Sequence, residues 1–463
     1  MNLTGPVVLV SAPIDYTFPT AYAYLCGYLK SKGETPVMLF RDCARDALVK
    51  HIMSLQPLLA GFGSLYVEIE EIKAIISDLN KAGRTFPAVV GGHLVSPMKE
   101  FAVQYTGADF GIVGEGEIVL YELARDLRGG GSGEGVKGVV RRTLQGAVEY
   151  NGPGEIIRDL SLLPPVPYEL FPAEKWLAIG DWYAKHYPHQ VLWRAGDKVI
   201  NVHGGRGCPF RCNFCYHASA CRYRPIDVMM KEADEVLRRF DANMLYFSDD
   251  LVLATPKRAA ALVEGIKGLH KKVEWSVSCR FDILKRMDDN LLASMKAAGC
   301  RIMGLGAESG SDRVLKTIGK GLAAAADIEV GMEKLKRAGI YPTVTMQFGQ
   351  DGETLEDTEK TIEFVRRSVT SNPLAQWNFT ITTPFPGSPL YEKLLREKRV
   401  KDAADFHAQY MHPSGGASVG WCKQVVNLSA MTDGQVLGAY NRMWEVYYET
   451  KSKVLGKPRS QVC

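Results

Sequence analysis

The chain is without any apolar run approaching the ~18 residues that cross a bilayer, so a membrane-spanning helix is not expected. It also has no excess of one charge. Its 56 Lys and Arg against 52 Asp and Glu leave +4 over 463 residues, which gives no case for nucleic acid or an anionic membrane as partner. The opening residues, Met1-Asn2-Leu3-Thr4-Gly5-Pro6, lack a basic stretch, and the apolar residues that follow read as a first strand rather than a signal peptide. Ten cysteines without an export signal then imply reduced thiols and metal ligands rather than disulfides, and a cytoplasmic location. Nowhere does a strand lead into G-x-G-x-x-G, so a dinucleotide is not the natural ligand. What remains is a soluble globular composition, 46% hydrophobic and 23% charged, long enough for two or three domains.

The most specific stretch lies near the middle: Gly204-Gly205-Arg206-Gly207-Cys208-Pro209-Phe210-Arg211-Cys212-Asn213-Phe214-Cys215-Tyr216-His217. Three cysteines at C-x3-C-x2-C cannot complete the four-thiolate shell of an ordinary iron–sulfur centre. A closed zinc site needs a fourth ligand, which His217 could supply. The preferred reading is a [4Fe–4S] cluster with one iron left open for a small chelating ligand.

On both sides of this loop, strand and helix patterns alternate. Upstream, Val7–Val10, Val37–Phe40, Leu58–Ser64, Ala88–His93 and Phe110–Glu117 read as five strands with helical stretches between them. Such alternation implies a doubly wound parallel sheet that binds its ligand beyond the carboxyl ends of the strands. A glycine-rich turn (residues 128–135), a hairpin around Gln145-Gly146 and a proline-stiffened connector (163–172) follow. Trp176, Trp182 and Trp193 are expected to pack that connector against the core. Downstream, the stretches 244–250, 274–282, 302–310, 343–350 and 378–387 read as strands whose polar residues gather at their carboxyl ends, as in β/α barrels. With the cysteine strand they make six. The tail carries a helical stripe at Leu437, Tyr440, Met443, Val446 and Tyr447, expected to cover the open barrel or the domain seam.

The cysteine loop, with Phe214 at its aromatic position, resembles the radical S-adenosylmethionine (SAM) superfamily. The upstream layout resembles the cobalamin-binding domain of one large branch of it, with landmarks at Pro13, Gly63-Ser64, Gly91-Gly92 and Gly114-Glu115-Gly116-Glu117. The resemblance implies an α/β protein: cobalamin-binding domain 1–125, hairpin and linker 126–195, a partial six-stranded radical SAM barrel 196–395, and a mostly helical segment 396–463. It implies a [4Fe–4S] cluster on Cys208, Cys212 and Cys215. For SAM it implies Phe214, Asp249, Asp250, Arg280, Glu308, Met346 and Gly349. Cobalamin would meet Pro13, Tyr16, Thr17, Gly63, Ser64, Leu65, Tyr66, Gly91, Gly92, His93 and the 114–117 turn. No D-x-H-x-x-G follows the first strand, which runs into Pro13-Ile14-Asp15-Tyr16-Thr17-Phe18-Pro19. Cobalamin is therefore expected base-off, with no histidine on cobalt. Cys221 and Cys279 read as small buried residues.

The activity implied is methylation of an unactivated sp3 carbon through a 5′-deoxyadenosyl radical and methylcobalamin, with electrons from a donor such as a flavodoxin or ferredoxin. The stretch after the barrel is too short for a separate recognition domain, which leaves a peptide or protein side chain, or a natural-product precursor, as substrate. The alternatives are ring closure, ring contraction or another radical rearrangement without methyl transfer, a first domain that holds nothing, and a cobalamin-dependent sensor or carrier.

Overall fold

The computed structural model describes residues 4–13, 18–63, 65–143, 145–186, 192–216, 218–320, 324–411 and 426–462. The chain divides into two compact units. One is assembled from Met1–Lys175, Tyr216–Arg222 and Tyr391–Lys423, the other from Trp176–Cys215, Tyr223–Leu390 and Gln424–Cys463.

The first unit is built on seven strands: β1 (Val7–Ser11), β2 (Pro36–Phe40), β3 (Leu59–Gly63), β4 (Ala88–Gly91), β5 (Phe110–Ile112), β6 (Val139–Arg142) and β7 (Val148–Tyr150). Their order is β2-β1-β3-β4-β5-β6-β7. The first five are parallel, and the last two close the edge antiparallel. All five residues of β1 are buried, as a central strand covered on both faces must be. The helix Ile69–Lys81 shows how the covering works. It buries Ile69, Ile72, Ile75, Ile76 and Leu79, an i, i+3, i+4 stripe in which each side chain contributes roughly 1.5–3 kcal/mol. The helix stops before Gly83, whose φ of 77° is costly for any residue with a Cβ.

Two expectations for this unit are corrected. The fifth strand does not run to Glu117. It ends at Ile112, and Gly116 opens the helix Gly116–Arg128, so the glycine–glutamate run is a strand-to-helix turn. The hairpin around Gln145-Gly146 forms, but as β6 and β7 of this sheet rather than as part of a linker. The expected connector is also packed: Phe18 stacks on Tyr168 at 5.6 Å and meets Phe171 at 5.1 Å.

The second unit contains β8 (Val199–Val202), the short β9 (Gly205–Arg206) and, after β10 (Arg222–Tyr223), β11 (Met244–Phe247), β12 (Glu274–Cys279), β13 (Cys300–Glu308), β14 (Tyr341–Phe348) and β15 (Gln376–Ile381). Six of these form one sheet, ordered β15-β14-β13-β12-β11-β8 and parallel throughout. Near the amino ends of its strands Arg301, fully buried, donates to Asp197 at 3.1 Å and to Glu274 at 2.6 Å. Trp176 is buried against Phe240, and Trp193 meets Tyr183 and Tyr246. Packing is what is seen for these tryptophans.

The tail helix, Asp433–Leu455, starts on a Thr432–Gln435 capping box. It lies on the edge strand β15, with Trp444 and Tyr447 against Phe379 at 4.7 and 5.6 Å. Its buried stripe is Val436, Ala439, Met443, Val446 and Tyr447. The expected Leu437 and Tyr440 are only half-buried, because the helix turns its Val436/Ala439 side inward.

Candidate functional site

In the second unit, β8 runs straight into the cysteine loop, so that loop emerges at the carboxyl end of the sheet. Cys212 is buried, and Cys208 and Cys215 are half-buried. The Cys215 thiol donates to the Cys212 sulfur. That bond holds Cys212 down to about 6; burial opposes it, and Lys320 and Arg280 add to it. The same shared proton pushes Cys215 up, and burial raises Cys208. Arg280 Nη1 stands 3.5 Å from the Cys212 sulfur, and its guanidinium lies 3.6 Å from the centre of the Phe210 ring. Cationic surroundings of this kind favour thiolates, the form that binds metal.

Among the described residues, no three His, Cys, Asp or Glu side chains converge on a single metal ion. Three thiolates side by side on one loop suit a cluster in which each holds a different iron. His217, the fourth ligand of the zinc alternative, lies outside the described residues.

The other expected SAM residues sit at strand ends of the same sheet. Asp250 is exposed, whereas Asp249 is buried. Asp249 accepts from the backbone N–H of Gly204 at 2.8 and 2.9 Å and of Gly205 at 2.5 Å. Burial lifts its carboxyl to about 7 despite those bonds. Glu308 ends β13 in a left-handed conformation, φ 67°, where the β13–β14 register slips. Strain of that sort persists only where the surroundings over-determine it. Here Lys320 Nζ donates to Oε1 at 2.7 Å, and Gln347 Nε2 to Oε2 at 3.0 Å. Beyond it, Ser309 and Thr361 hydroxyls meet at 3.1 Å and Ser311 donates to Asp357 at 2.6 Å.

Met346 is buried within β14. Gly349 follows with φ 79°, its N–H held by Glu353 at 2.7 Å. Phe214 is half-buried. Cys279 is fully enclosed, and burial pushes its thiol up to about 12; Cys221 is only half-buried.

In the first unit the topology reverses between β1 and β3, the switch point where open α/β sheets take their ligands. Tyr22 seals it from below: its hydroxyl meets Val10 O, Gly63 O and Gly63 N, each at 2.6 Å. Of the expected cofactor residues, Tyr16, Thr17 and Ser64 lie outside the described residues. Pro13 is exposed at the end of β1, Leu65 is 56% exposed just after β3, and Tyr66 beside it is only 6% exposed. Gly91, Gly92 and His93 stand at the end of β4. Ser96 ties that turn to the next, donating to Gly92 O at 3.0 Å and accepting from Gly114 N at 2.9 Å.

His93 meets the ring of Tyr216 edge-on at 5.7 Å, and Glu115 binds Arg222 and, at 2.9 Å, Ser219. Gly116 begins the helix on which Glu117 is buried. Sequence reasoning missed Tyr22, Lys320 and Arg222. None carries a local motif, and each acts through a partner distant in the chain.

Two family models match the chain: the B12 binding domain over residues 6–124 and the radical SAM superfamily over residues 202–365. An uncharacterized methyltransferase of Pyrococcus horikoshii is 25% identical over 381 residues, covering 81% of this chain and 78% of its own. The anaerobic magnesium-protoporphyrin IX monomethyl ester cyclase of Cereibacter sphaeroides is 25% identical, covering 95% of this chain and 69% of its own. Among solved structures, the radical SAM methyltransferase TsrM of Kitasatospora setae, with cobalamin and a [4Fe–4S] cluster bound, superposes with a TM-score of 0.70 at 19% identity, over 96% of this chain and 91% of that one. The cobalamin-dependent radical enzyme OxsB gives 0.69 at 16% identity, over 92% and 65%. At these identities the structural likeness speaks for the fold, while the two matched domains imply the cluster, SAM and cobalamin as cofactors. No helix among the described residues is long and apolar enough to cross a membrane. With a B12-binding domain leading into a radical SAM domain, the chain belongs to the cobalamin-binding radical SAM enzymes and has methyltransferases among its relatives.

Proposed function

We propose that this enzyme methylates an unactivated sp3 carbon, on a peptide or protein side chain or on a natural-product precursor. The observation that carries the reading is the pairing, in one chain, of a three-cysteine loop on a six-stranded parallel sheet with a switch-point sheet whose first strand is followed by no histidine. When bound, the cofactors supply a carbon-centred radical and a transferable methyl group.

The chain's own residues have definable tasks. Cys208, Cys212 and Cys215 would hold three irons, with Arg280 beside Cys212 balancing thiolate charge. Asp249 is engaged by the loop backbone, so the exposed Asp250 is the carboxylate free to face the amino end of SAM. Glu308, held by Lys320 and Gln347, would meet the ribose hydroxyls, and Gly349 with Met346 would line the adenine. In the other unit, the loops after β1, β3, β4 and β5 would enclose cobalamin with its own base detached. A flavodoxin or ferredoxin would supply electrons.

A second reading has one observation behind it: the cyclase relative covers 95% of this chain, which favours a ring-forming radical reaction without methyl transfer. Product mass separates the two. Comparing the peptides and metabolites of the host with and without the chain should show one CH2 lost in its absence. A product differing in any other way sinks the methylase reading, and a methyl lost only from a small metabolite sinks the peptidyl one.

A further inference from the structure

We propose that His407, on the helix Ala403–Tyr410, is a positioning residue for the switch-point loop: it fixes Tyr66 and thereby decides which side chain the loop after β3 presents to the cofactor. The inference rests on the reading of the first unit as a cobalamin site, and it adds a segment from the far end of the chain to that site.

The loop in question lies where the strand order turns, between β1 and β3. It holds two neighbours of opposite fate. Leu65 is 56% exposed, an unusual position for a leucine, while Tyr66 is 6% exposed. What separates them is a polar cluster beneath the loop. The Tyr66 hydroxyl lies 3.0 Å from His407 Nδ1. On the other side of the ring, Nε2 lies 2.8 Å from Glu70 Oε1 and 3.0 Å from the Tyr105 hydroxyl. Tyr105 in turn donates to Glu70 at 2.5 Å, and Lys73 stands 3.8 Å above the Tyr105 ring.

The partners place one ring proton. A carboxylate only accepts, so a ring hydrogen belongs on Nε2, facing Glu70. In the Nε2–H tautomer Nδ1 is an acceptor, and Tyr66 donates to it. Aromatic rings close the cluster: Phe406 at 6.3 Å from Tyr66, and Tyr105 and Phe101 at 4.6 and 6.1 Å from His407.

A leucine or phenylalanine at 407 could fill the same volume without a polar ring. A satisfied, partly buried network differs from such a filler in one respect: it specifies a single arrangement. Here that arrangement commits the Tyr66 hydroxyl to His407 and leaves Leu65 as the exposed side chain of the pair. Tyr66 therefore braces the site, and the contact surface passes to its neighbour.

The test is titration of the full-length protein with hydroxocobalamin, followed by absorbance, for wild type, Tyr66→Phe, His407→Leu, the double variant and His407→Gln. Removing one hydrogen bond of a shared network should weaken cobalamin binding by up to about tenfold. The double variant should bind no more weakly than the worse single one, because both remove the same link. The His407→Gln amide can still accept from Tyr66 and donate to Glu70, and should restore affinity. Tyr66→Phe deletes a single oxygen, so it answers the question even if His407→Leu folds poorly. Unchanged affinity in Tyr66→Phe and His407→Leu, with wild type binding normally, overturns the inference alone. Fully additive losses without rescue by Gln reduce His407 to packing and overturn it too. Failure of wild type to bind hydroxocobalamin removes the reading on which the inference stands, and the inference with it.

Discussion

Asp249 grips Gly204, both of its carboxylate oxygens receiving the same backbone N–H at 2.8 and 2.9 Å. The Gly204 carbonyl is held as firmly, by Arg224 N at 2.8 Å and Arg258 Nη2 at 3.1 Å. A Cβ at this position would meet Met229 Sδ and Val252 Cγ2, each at 2.8 Å, so any larger residue would have to displace both side chains. The chain is thus immobilised just upstream of Cys208, and the cysteine loop starts from a fixed point.

Removing that carboxylate should loosen the loop. Asp249→Ala leaves the N–H groups of Gly204 and Gly205 buried without their acceptor, at a cost of about 2–5 kcal/mol. The expected outcome is a lower melting temperature together with less iron and sulfide retained per chain after anaerobic reconstitution. Iron retention equal to wild type would show that the clamp is irrelevant to the loop.

The cluster assignment has its own check. Alanine at Cys208, Cys212 and Cys215 together should abolish the visible cluster absorbance and SAM cleavage at once. A full cluster in that triple variant refutes the ligand set.

For cobalamin, the Co(II) form should show no nitrogen superhyperfine splitting in its electron paramagnetic resonance spectrum, because no histidine follows β1. Splitting from one nitrogen would place a ligand on cobalt and end the base-off, histidine-free reading.

Glu353 offers a pH prediction with a definite sign. Burial lifts its carboxyl to about 7, whereas in the unfolded chain it ionises near 4.3. Between those values the folded state binds the extra proton, so stability falls as pH rises through this window. Glu353→Gln cannot titrate. The melting temperature of wild type relative to this variant should therefore drop between about pH 4 and about pH 8, conditions that bracket about 4.3 and about 7. Parallel curves would contradict the assignment.

At the other end of the barrel sheet, Arg301→Met strands the buried Asp197 without its cation. Breaking a buried pair in this way costs about 3–5 kcal/mol. Thermal unfolding should show the loss while cobalamin binding by the other unit is retained. A variant as stable as wild type would mean that Asp197 finds water or another partner.

The strands were legible because buried parallel strands are short β-branched runs, as in Val7–Val10 and Ala88–Val90, the second closed by Gly91-Gly92. The cysteine spacing was legible because it is local. The strand after Phe110 was read too long because Val113 continues an apolar run although the backbone turns at Gly114, φ 81°. Roles set by distant partners left no local trace. Nothing near Asp249 announces that Gly204 will occupy it, nor near Tyr66 that His407 will.

The Tyr66–His407 bond joins residues 341 positions apart, and that separation bears on the order of events during synthesis. β1 to β5 are linked by short crossovers and can pair as soon as they emerge. At about 5–20 residues per second, the helix bearing His407 follows Tyr66 only after tens of seconds. Through that interval the Tyr66 hydroxyl lacks its bond to His407. On the role proposed for His407, the loop after β3 is therefore completed late in synthesis, once the helix Ala403–Tyr410 has left the ribosome.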